Sequence, residues 1–216
     1  GGELARGRLA GVPVAICRTG MGGRAARRVV SRCLEQLSPC CLIAAGFGAA
    51  ITTGPRAGDL VLAEKVIAHP DGRMLASDRS LLEAAASLHA GRLFRGALVS
   101  VPRVLCEPAA KKRIAVKYGA LAADMESYAV LAAGKASGIP CLAVRAVTDT
   151  ADEALPLASE SMVTTEGQIR RGAVFAAICR QPALIPGLLR LGLHSMRAAG
   201  ILAEYLEALC AQVNER

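Results

Sequence analysis

Residues 138–149 read GIPCLAVRAVTD, and this stretch indicates the class of fold. Gly138 and Pro140 end the preceding helical segment, and the apolar run 141–147 is too short to be a helix of its own. A continuous apolar run is typical of a strand buried on both faces, as in a parallel sheet covered by helices. Asp149 comes directly after this strand, where α/β sheets collect their ligands.

Strands and helical segments alternate along the rest of the chain. Residues 12–17 predict a buried strand, and the glycine turn after it leads into a helix over 24–34. The same patterns predict strands at 41–45, 60–66 and 96–101, and helices at 78–90, 108–118 and 127–137. The tail after residue 165 is predicted to be helical, with breaks at Gln181-Pro182 and Pro186-Gly187.

This alternation predicts an α/β protein, a three-layer α/β/α sandwich around a central mixed, largely parallel sheet. The length of 216 residues suits a single domain spanning 1–216, with 165–216 as its C-terminal helical segment. Apolar residues make up 53% and charged residues 20%, which indicates a globular chain. No apolar run reaches the roughly 18–20 residues of a membrane span, and the start lacks a signal-peptide pattern.

The net charge is +8, which predicts either attraction to phosphate or an anionic membrane surface, or simply a solvated basic surface. Aromatic residues are only 3%, and no nucleic-acid motif is present, so nucleic acid is not expected as a partner. The eight cysteines contain no CxxC pair and predict buried free thiols in a reducing cytoplasm. Because His69, His89 and His194 are isolated in the sequence, no metal site is predicted.

Two acidic segments border apolar stretches. AADME at 122–126 places Asp124 and Glu126 at the entry to the helix 127–137, where a capping role is the plain alternative for Asp124. Asp152 also suits a cap or a turn. Asp149 and Glu126 stand beside Thr148 and Met125 in an otherwise Ala, Val and Leu context, so a shared functional site is the competing interpretation.

A resemblance sharpens this interpretation. The stretch 119–153 resembles the nucleoside phosphorylase and nucleosidase superfamily, whose signature is an M-E pair followed by a [ST]-D-x-A-D motif. TGMGGRAA at 19–26 is similar to the first glycine turn of the family, and residues 44–66 to its central strand and loop. The resemblance covers most of the chain.

The resemblance implies roles in breaking the N-glycosidic bond of a purine nucleoside. Asp149 would protonate or hydrogen-bond N7 of the departing base, and Glu126 would hold the ribose hydroxyls and favour the cationic sugar. Further contacts to the substrate are expected from Met125, Asp124, Gly46, Phe47, Ser100, Val101 and Thr148. No cofactor is implied.

The sequence leaves open whether phosphate or water attacks the sugar. Gly20, Gly22, Gly23 and Arg24 open a helix and could cradle inorganic phosphate as a co-substrate, although a plain strand-to-helix turn has the same pattern. The arginine that bacterial purine phosphorylases of this family carry before the loop is replaced by alanine at 44–45. The acid that activates water in the nucleosidases would lie on a strand before Gly1.

A narrower resemblance covers residues 100–133, which are similar to the hopanoid-associated phosphorylase branch. It implies removal of adenine from adenosylhopane to leave ribosylhopane, in the cytoplasm and with contact to the inner membrane surface as a further expectation. The wider family resemblance implies a homodimer. The aliphatic tail with Arg190 and Arg197 would suit an interfacial helix, but a helix packed on the sheet or on a second subunit is the favoured interpretation.

Two other functions compete with the hopanoid interpretation. One is a methylthioadenosine or S-adenosylhomocysteine nucleosidase, and the other is a non-catalytic nucleoside-binding protein. The roles assigned above predict that Asp149→Asn abolishes cleavage while the fold stays stable.

Overall fold

The computed structural model describes residues 4–88, 91–155 and 181–214. The strands are β1 (Leu4–Leu9), β2 (Val12–Cys17), β3 (Leu42–Ala50), β4 (Leu60–Ala68), β5 (Met74–Ala76), β6 (Leu93–Ser100), β7 (Ala120–Asp124) and β8 (Cys141–Asp149). The helices are α1 (Gly23–Gln36), α2 (Arg79–Ala86), α3 (Pro108–Tyr118), α4 (Ser127–Ala136) and α5 (Ile185–Asn214), and a short 3-10 turn at Pro182–Leu184 precedes α5.

The central sheet has the strand order β5-β4-β6-β7-β3-β8. The pairs β3–β8, β4–β6 and β6–β7 are parallel, whereas β4–β5 and β3–β7 are antiparallel. A further antiparallel pairing joins β4 to β8, so the sheet closes on itself. The prediction of an α/β fold with a mixed central sheet is confirmed.

Strand β8 lies between two helical layers, and all nine of its residues are buried. Ala143 and Val147 pack into the core beneath α1 and α4, whereas Leu142, Val144 and Ala146 pack beneath α2 and α5. This alternation follows from the two-residue period of a strand, which sends successive side chains to opposite faces. The apolar run therefore reflects burial on both faces, as its sequence predicts.

Strands β1, β5 and β7 were not predicted from the sequence. β1 reads LARGRL and has no apolar run. It pairs with β2 in a separate two-stranded sheet that is largely exposed, so its side chains need not be apolar. β5 has only three residues. β7 reads ALAAD, and alanine has little strand preference; its place in the sheet comes from pairing with β6 and β3.

The predicted break at Pro186-Gly187 is wrong, because α5 continues through it to Asn214. Pro186 lies in the first turn of the helix, where a missing backbone N–H is tolerated. The predicted break at Gln181-Pro182 agrees with the 3-10 turn there. The helical prediction for 165–180 lies outside the described residues. In the described part of the chain, no helix is long and apolar enough to cross a membrane.

The thiols are free but less buried than expected. Of the seven described cysteines, only Cys141 is buried, while Cys40 is exposed and the others are partly exposed. The expectation of free thiols thus holds for these seven, and the expectation that they are buried is wrong for most of them.

Candidate active site

The two acidic segments meet at the end of β3. Ala49 is the register partner of Asp149 on β8 and also of Ala123 on β7. Asp149 and the segment 124–126 therefore flank the same strand end, about 10 Å apart across two strand spacings. The sheet topology therefore brings both acidic segments to the same end of the sheet, on either side of β3.

Asp149 is buried and has defined partners on both carboxylate oxygens. Lys111 donates from Nζ to Oδ2 at 2.6 Å, and Thr148 donates from Oγ1 to Oδ1 at 2.9 Å. Burial raises the pKa of Asp149 above its ordinary value, while the hydrogen bond and charge of Lys111 act in the opposite direction. The net shift favours the acid form of Asp149 relative to a solvated aspartate, which is the direction that a general acid requires.

Lys111 lies on α3, and its side chain is 0% exposed. Besides Asp149, it donates to the carbonyl oxygens of Thr150 and Glu153 at 2.6 and 2.8 Å. A lysine is rarely buried without partners, because a desolvated charge is costly. Lys111 was not singled out in the sequence, where it is one of several basic residues on the helix.

Glu126 binds the glycine turn that precedes α1. The backbone N–H of Gly22 donates to Oε1 of Glu126 at 2.6 Å, and Nη2 of Arg145 lies 4.0 Å from Oε2. Burial and the nearby charge of Asp124 raise the pKa of Glu126, and the Gly22 bond opposes this shift. The N–H expected to bind phosphate is therefore donated to a carboxylate of the protein.

The other members of the glycine turn are arranged around this contact. Gly20 and Gly22 have φ values of 72° and 91°, which non-glycine residues rarely adopt. A Cβ at Gly23 would lie 3.5 Å from Cβ of Ala129 on α4 and 3.5 Å from the carbonyl oxygen of Met125, so the start of α1 lies directly against α4. Arg24 is exposed at the start of α1.

Asp124 has protein partners on both carboxylate oxygens. Ser100 donates to Oδ1, while Nε of Arg145 and the N–H of Ser127 donate to Oδ2 at 2.7 and 2.8 Å. The bond from Ser127 satisfies the first amide of α4, so Asp124 caps this helix through its side chain. This arrangement favours the capping alternative over the substrate contact expected for Asp124.

Ser100 and Val101 end β6 beside this network. Oγ of Ser100 donates to Asp124 and accepts the N–H of Tyr128 at 2.9 Å, and the N–H of Val101 donates to the carbonyl of Asp124 at 2.7 Å. Both residues are buried. Their polar groups hold α4 and β7 in place, which is a structural use beside the expected purine contacts.

Gly46 and Phe47 lie on β3 opposite Arg145 and Ala146. A Cβ at Gly46 would overlap Nη1 of Arg145, so the absence of a side chain is required there. Phe47 is 45% exposed, which is unusual for an aromatic residue within a central strand. Arg145 itself is buried between Asp124 and Ser127 and was missed in the sequence because it lies within the apolar run.

A small cavity adjoins Asp149 on the side of α5. Its lining includes Thr148, Glu153, Arg190 and His194. Nδ1 of His194 lies 3.3 Å from the carbonyl oxygen of Thr148. Glu153 accepts the N–H of Thr150 at 2.9 Å, so Glu153 closes this turn, which is the role that the sequence suggested for Asp152.

Among the described residues, no group of three His, Cys, Asp or Glu side chains could hold a metal ion. His69 instead pairs with the hydroxyl of Tyr118 at 2.9 Å. His89 lies outside the described residues.

Comparisons with known proteins identify the family of the chain and relatives with the same fold. The sequence model of the phosphorylase superfamily matches residues 1–180. A 5'-methylthioadenosine/S-adenosylhomocysteine nucleosidase of Shewanella halifaxensis is 23% identical over an alignment that covers 76% of this chain and 80% of the relative. The corresponding nucleosidase of Aeromonas salmonicida is 25% identical, with coverage of 78% and 82%.

Solved structures show the same fold. The 5'-methylthioadenosine/S-adenosylhomocysteine nucleosidase of Neisseria meningitidis, in complex with methylthio-immucillin-A, superposes with a TM-score of 0.76 at 19% identity. The superposition covers 97% of this chain and 86% of that structure. The nucleosidase of Streptococcus pneumoniae with a transition-state inhibitor gives a TM-score of 0.74 at 17% identity, with coverage of 97% and 86%.

The fold and the family match define an α/β enzyme of the nucleoside phosphorylase and nucleosidase class. The chain belongs to the phosphorylase superfamily, as the resemblance of residues 119–153 implies.

Proposed function

We propose that this protein cleaves the N-glycosidic bond of an adenosyl compound and releases adenine. The observation that carries the proposal is the position of Ala49, which has Asp149 on one side and the strand leading to Glu126 on the other. A base bound near Asp149 and a sugar bound near Glu126 would place the scissile bond between two carboxyl groups.

Asp149 acts on the base in this proposal. Breaking the bond builds negative charge on the departing purine, and a carboxylic acid at N7 makes the base a better leaving group. Thr148 supports Asp149 through the bond to Oδ1. The raised pKa of Asp149 keeps the acid form available at a higher pH than for a solvated aspartate.

Glu126 acts on the sugar. Its Oε1 is held by Gly22, and its Oε2 faces Arg145 at the longer distance of 4.0 Å, so this oxygen is available to a ribose hydroxyl. A carboxylate fixed in this way stabilises the positive charge that develops on the sugar ring. Met125 precedes Glu126 and would pack on the ribose, while Gly46 and Phe47 border the same strand end.

Water is the proposed attacking group. The glycine turn donates its Gly22 N–H to a carboxylate, and a phosphate bound there would lie against the charge of Glu126. The alternative to water is inorganic phosphate as a co-substrate, bound by Gly20, Gly23 and Arg24. Ala44 and Ala45, where purine phosphorylases of this family carry an arginine, also argue for water.

The favoured substrates are methylthioadenosine and S-adenosylhomocysteine, after the names of the curated relatives. Adenosylhopane is the second candidate, and a specific observation supports it. The first part of α5 carries exposed apolar residues at helical spacing beside Arg190: Ile185, Leu189, Leu193 and Met196. Such a face would suit a lipid-linked substrate presented at a membrane surface.

Location and assembly are part of this proposal. Free thiols suit a reducing cytoplasm, and the basic charge suits contact with an anionic membrane surface. A homodimer and a single domain over 1–216 are expected from the family resemblance.

The test is product analysis by mass spectrometry. The protein is incubated with methylthioadenosine and, in detergent, with adenosylhopane, each with and without phosphate. Adenine from methylthioadenosine supports the first candidate, and adenine from the lipid alone supports the second. A free hydroxyl at C1 of the substituted ribose identifies water as the attacking group, whereas a 1-phosphate on that ribose identifies phosphate. Adenine binding without release from either substrate would overturn the proposal in favour of a non-catalytic binding protein.

A further inference from the structure

The ammonium group of Lys111 has all of its donors in use. It binds Oδ2 of Asp149 and the carbonyl oxygens of Thr150 and Glu153, at distances between 2.6 and 2.8 Å. An ammonium group has three donors and no acceptor. Three acceptors in a fully buried position therefore fit the charged form of Lys111 and fix the turn that follows β8.

This arrangement makes the two oxygens of Asp149 chemically different. Oδ2 faces a group that can only donate, so a proton on Oδ2 would meet another hydrogen. Oδ1 faces the hydroxyl of Thr148, which can donate or accept. When Asp149 is protonated, the proton therefore belongs on Oδ1.

We propose that Lys111 is a positioning residue that confines the proton of Asp149 to Oδ1 and sets the pH above which the acid form is lost. The proposal deepens the function given above and rests on Asp149 acting as the acid toward the base. A positive charge at 2.6 Å favours the carboxylate form, so Lys111 holds the acid strong enough to give up its proton.

Other charged and titratable groups also surround Asp149, and their effects on its pKa must be distinguished from the effect of Lys111. Burial raises the pKa of Glu153, but the bond from Thr150 and the charge of Arg190 outweigh it, so Glu153 stays ionised to lower pH than a solvated glutamate. Arg190 lies 3.6 Å from Glu153. From α5, His194 lies beside the Thr148 carbonyl, and from the loop before α3 the thiol of Cys106 has a pKa raised chiefly by burial.

The experiment compares the full chain with Lys111→Met, Lys111→Gln and the matched control Lys112→Met, which changes an exposed lysine on the same helix. The readouts are the pH profile of kcat for adenine release and a carbon-13 NMR titration of the Asp149 carboxyl, assigned with Asp149→Asn. The two Lys111 variants should move the alkaline limb of kcat and the Asp149 titration upward together, by about 1–3 pH units. Lys112→Met should leave both in place.

The proposal is overturned if the alkaline limb of the kcat profile and the titration of the Asp149 carboxyl are the same in the wild type and in the Lys111 variants. This holds even if the variants are less stable. Lys111→Gln keeps a hydrogen-bond donor, so the comparison can rest on this variant if Lys111→Met does not fold. If neither folds, nitrogen-15 NMR of the wild type decides, because the Nζ shift of Lys111 must change at the pH where Asp149 titrates. If wild type releases no adenine, the proposed function fails, but the carboxyl titration still decides the role of Lys111.

Discussion

The N–H of Gly22 donates to the carboxylate of Glu126 at 2.6 Å, across 104 positions of sequence. The glycine turn after β2 and the start of α4 are therefore parts of one structural unit. A turn with the pattern of a phosphate cradle holds a carboxylate of its own chain. That contact orients Glu126.

Asp149→Asn should reduce adenine release by about 100- to 10,000-fold, because an amide cannot replace the acid. We expect the fold to persist in this variant, but with lower stability than the wild type. The neutral amide would leave the buried charge of Lys111 without a counter-ion, which typically costs about 3–5 kcal/mol. The free energy of unfolding from urea denaturation measures this loss.

The double variant Lys111→Met, Asp149→Asn should recover much of that stability without recovering activity, since both buried charges are removed together. Asp152→Asn, at an exposed position in the same turn, is the control and should change neither quantity. Wild-type turnover in Asp149→Asn would remove Asp149 from the mechanism.

Glu126→Gln should lower kcat/KM by on the order of 100-fold, because it removes the charge that favours the cationic sugar. The amide oxygen can still accept the Gly22 N–H, so the turn should stay in place. Steady-state kinetics of adenine release measures the effect, with the exposed Glu35→Gln as control. An unchanged kcat/KM would show that Glu126 does not hold the sugar.

The same variant should alter the pH dependence of stability. The folded protein raises the pKa of Glu126 above its ordinary 4.5, so the native state holds this proton to higher pH than the unfolded chain. Stability is therefore lost as pH rises from about 4.5 through the native pKa. Glu126→Gln cannot titrate, and its melting temperature should fall less over that interval than that of the wild type.

Gly22→Ala should slow adenine release by loosening Glu126. Gly22 has φ 91° and ψ 148°, a conformation nearly confined to glycine, so an alanine there is strained by about 1–3 kcal/mol although nothing blocks its Cβ. Gly11→Ala is the matched control, since Gly11 has φ 80°, open space and a place in the distant β1–β2 turn. Equal losses of activity in both variants would mean that the effect is general destabilisation.

Gly46→Ala should disrupt the buried group formed by Arg145, Asp124 and Ser127. The new methyl would overlap the guanidinium, which is held by two partners and cannot simply move aside. Displacing it breaks a buried ion pair, at a cost of about 3–5 kcal/mol. Thermal melting measures the loss, and Gly7→Ala, on an exposed strand with open space, should show almost none.

Much of the fold was predictable from local pattern. The apolar run of β8 and the bounds of α3 at 108–118 agree with the structure, because burial on both faces and helical spacing are visible in consecutive residues. Strands β1 and β7 were not predictable in this way. Their polar or alanine-rich residues become strand only through the partners they pair with.

The features of the candidate site also divide into those that the local sequence predicts and those that it does not. The sequence by itself determined which acids stand at the ends of apolar segments, Asp149 at the end of β8 and Glu126 before α4. Only the tertiary structure decided their partners, Lys111 for Asp149 and Gly22 for Glu126. One of several lysines on α3 is buried, and which one depends on how the helix packs against the sheet. Contacts between residues remote in sequence are set by the packing of whole elements, and no local pattern records them.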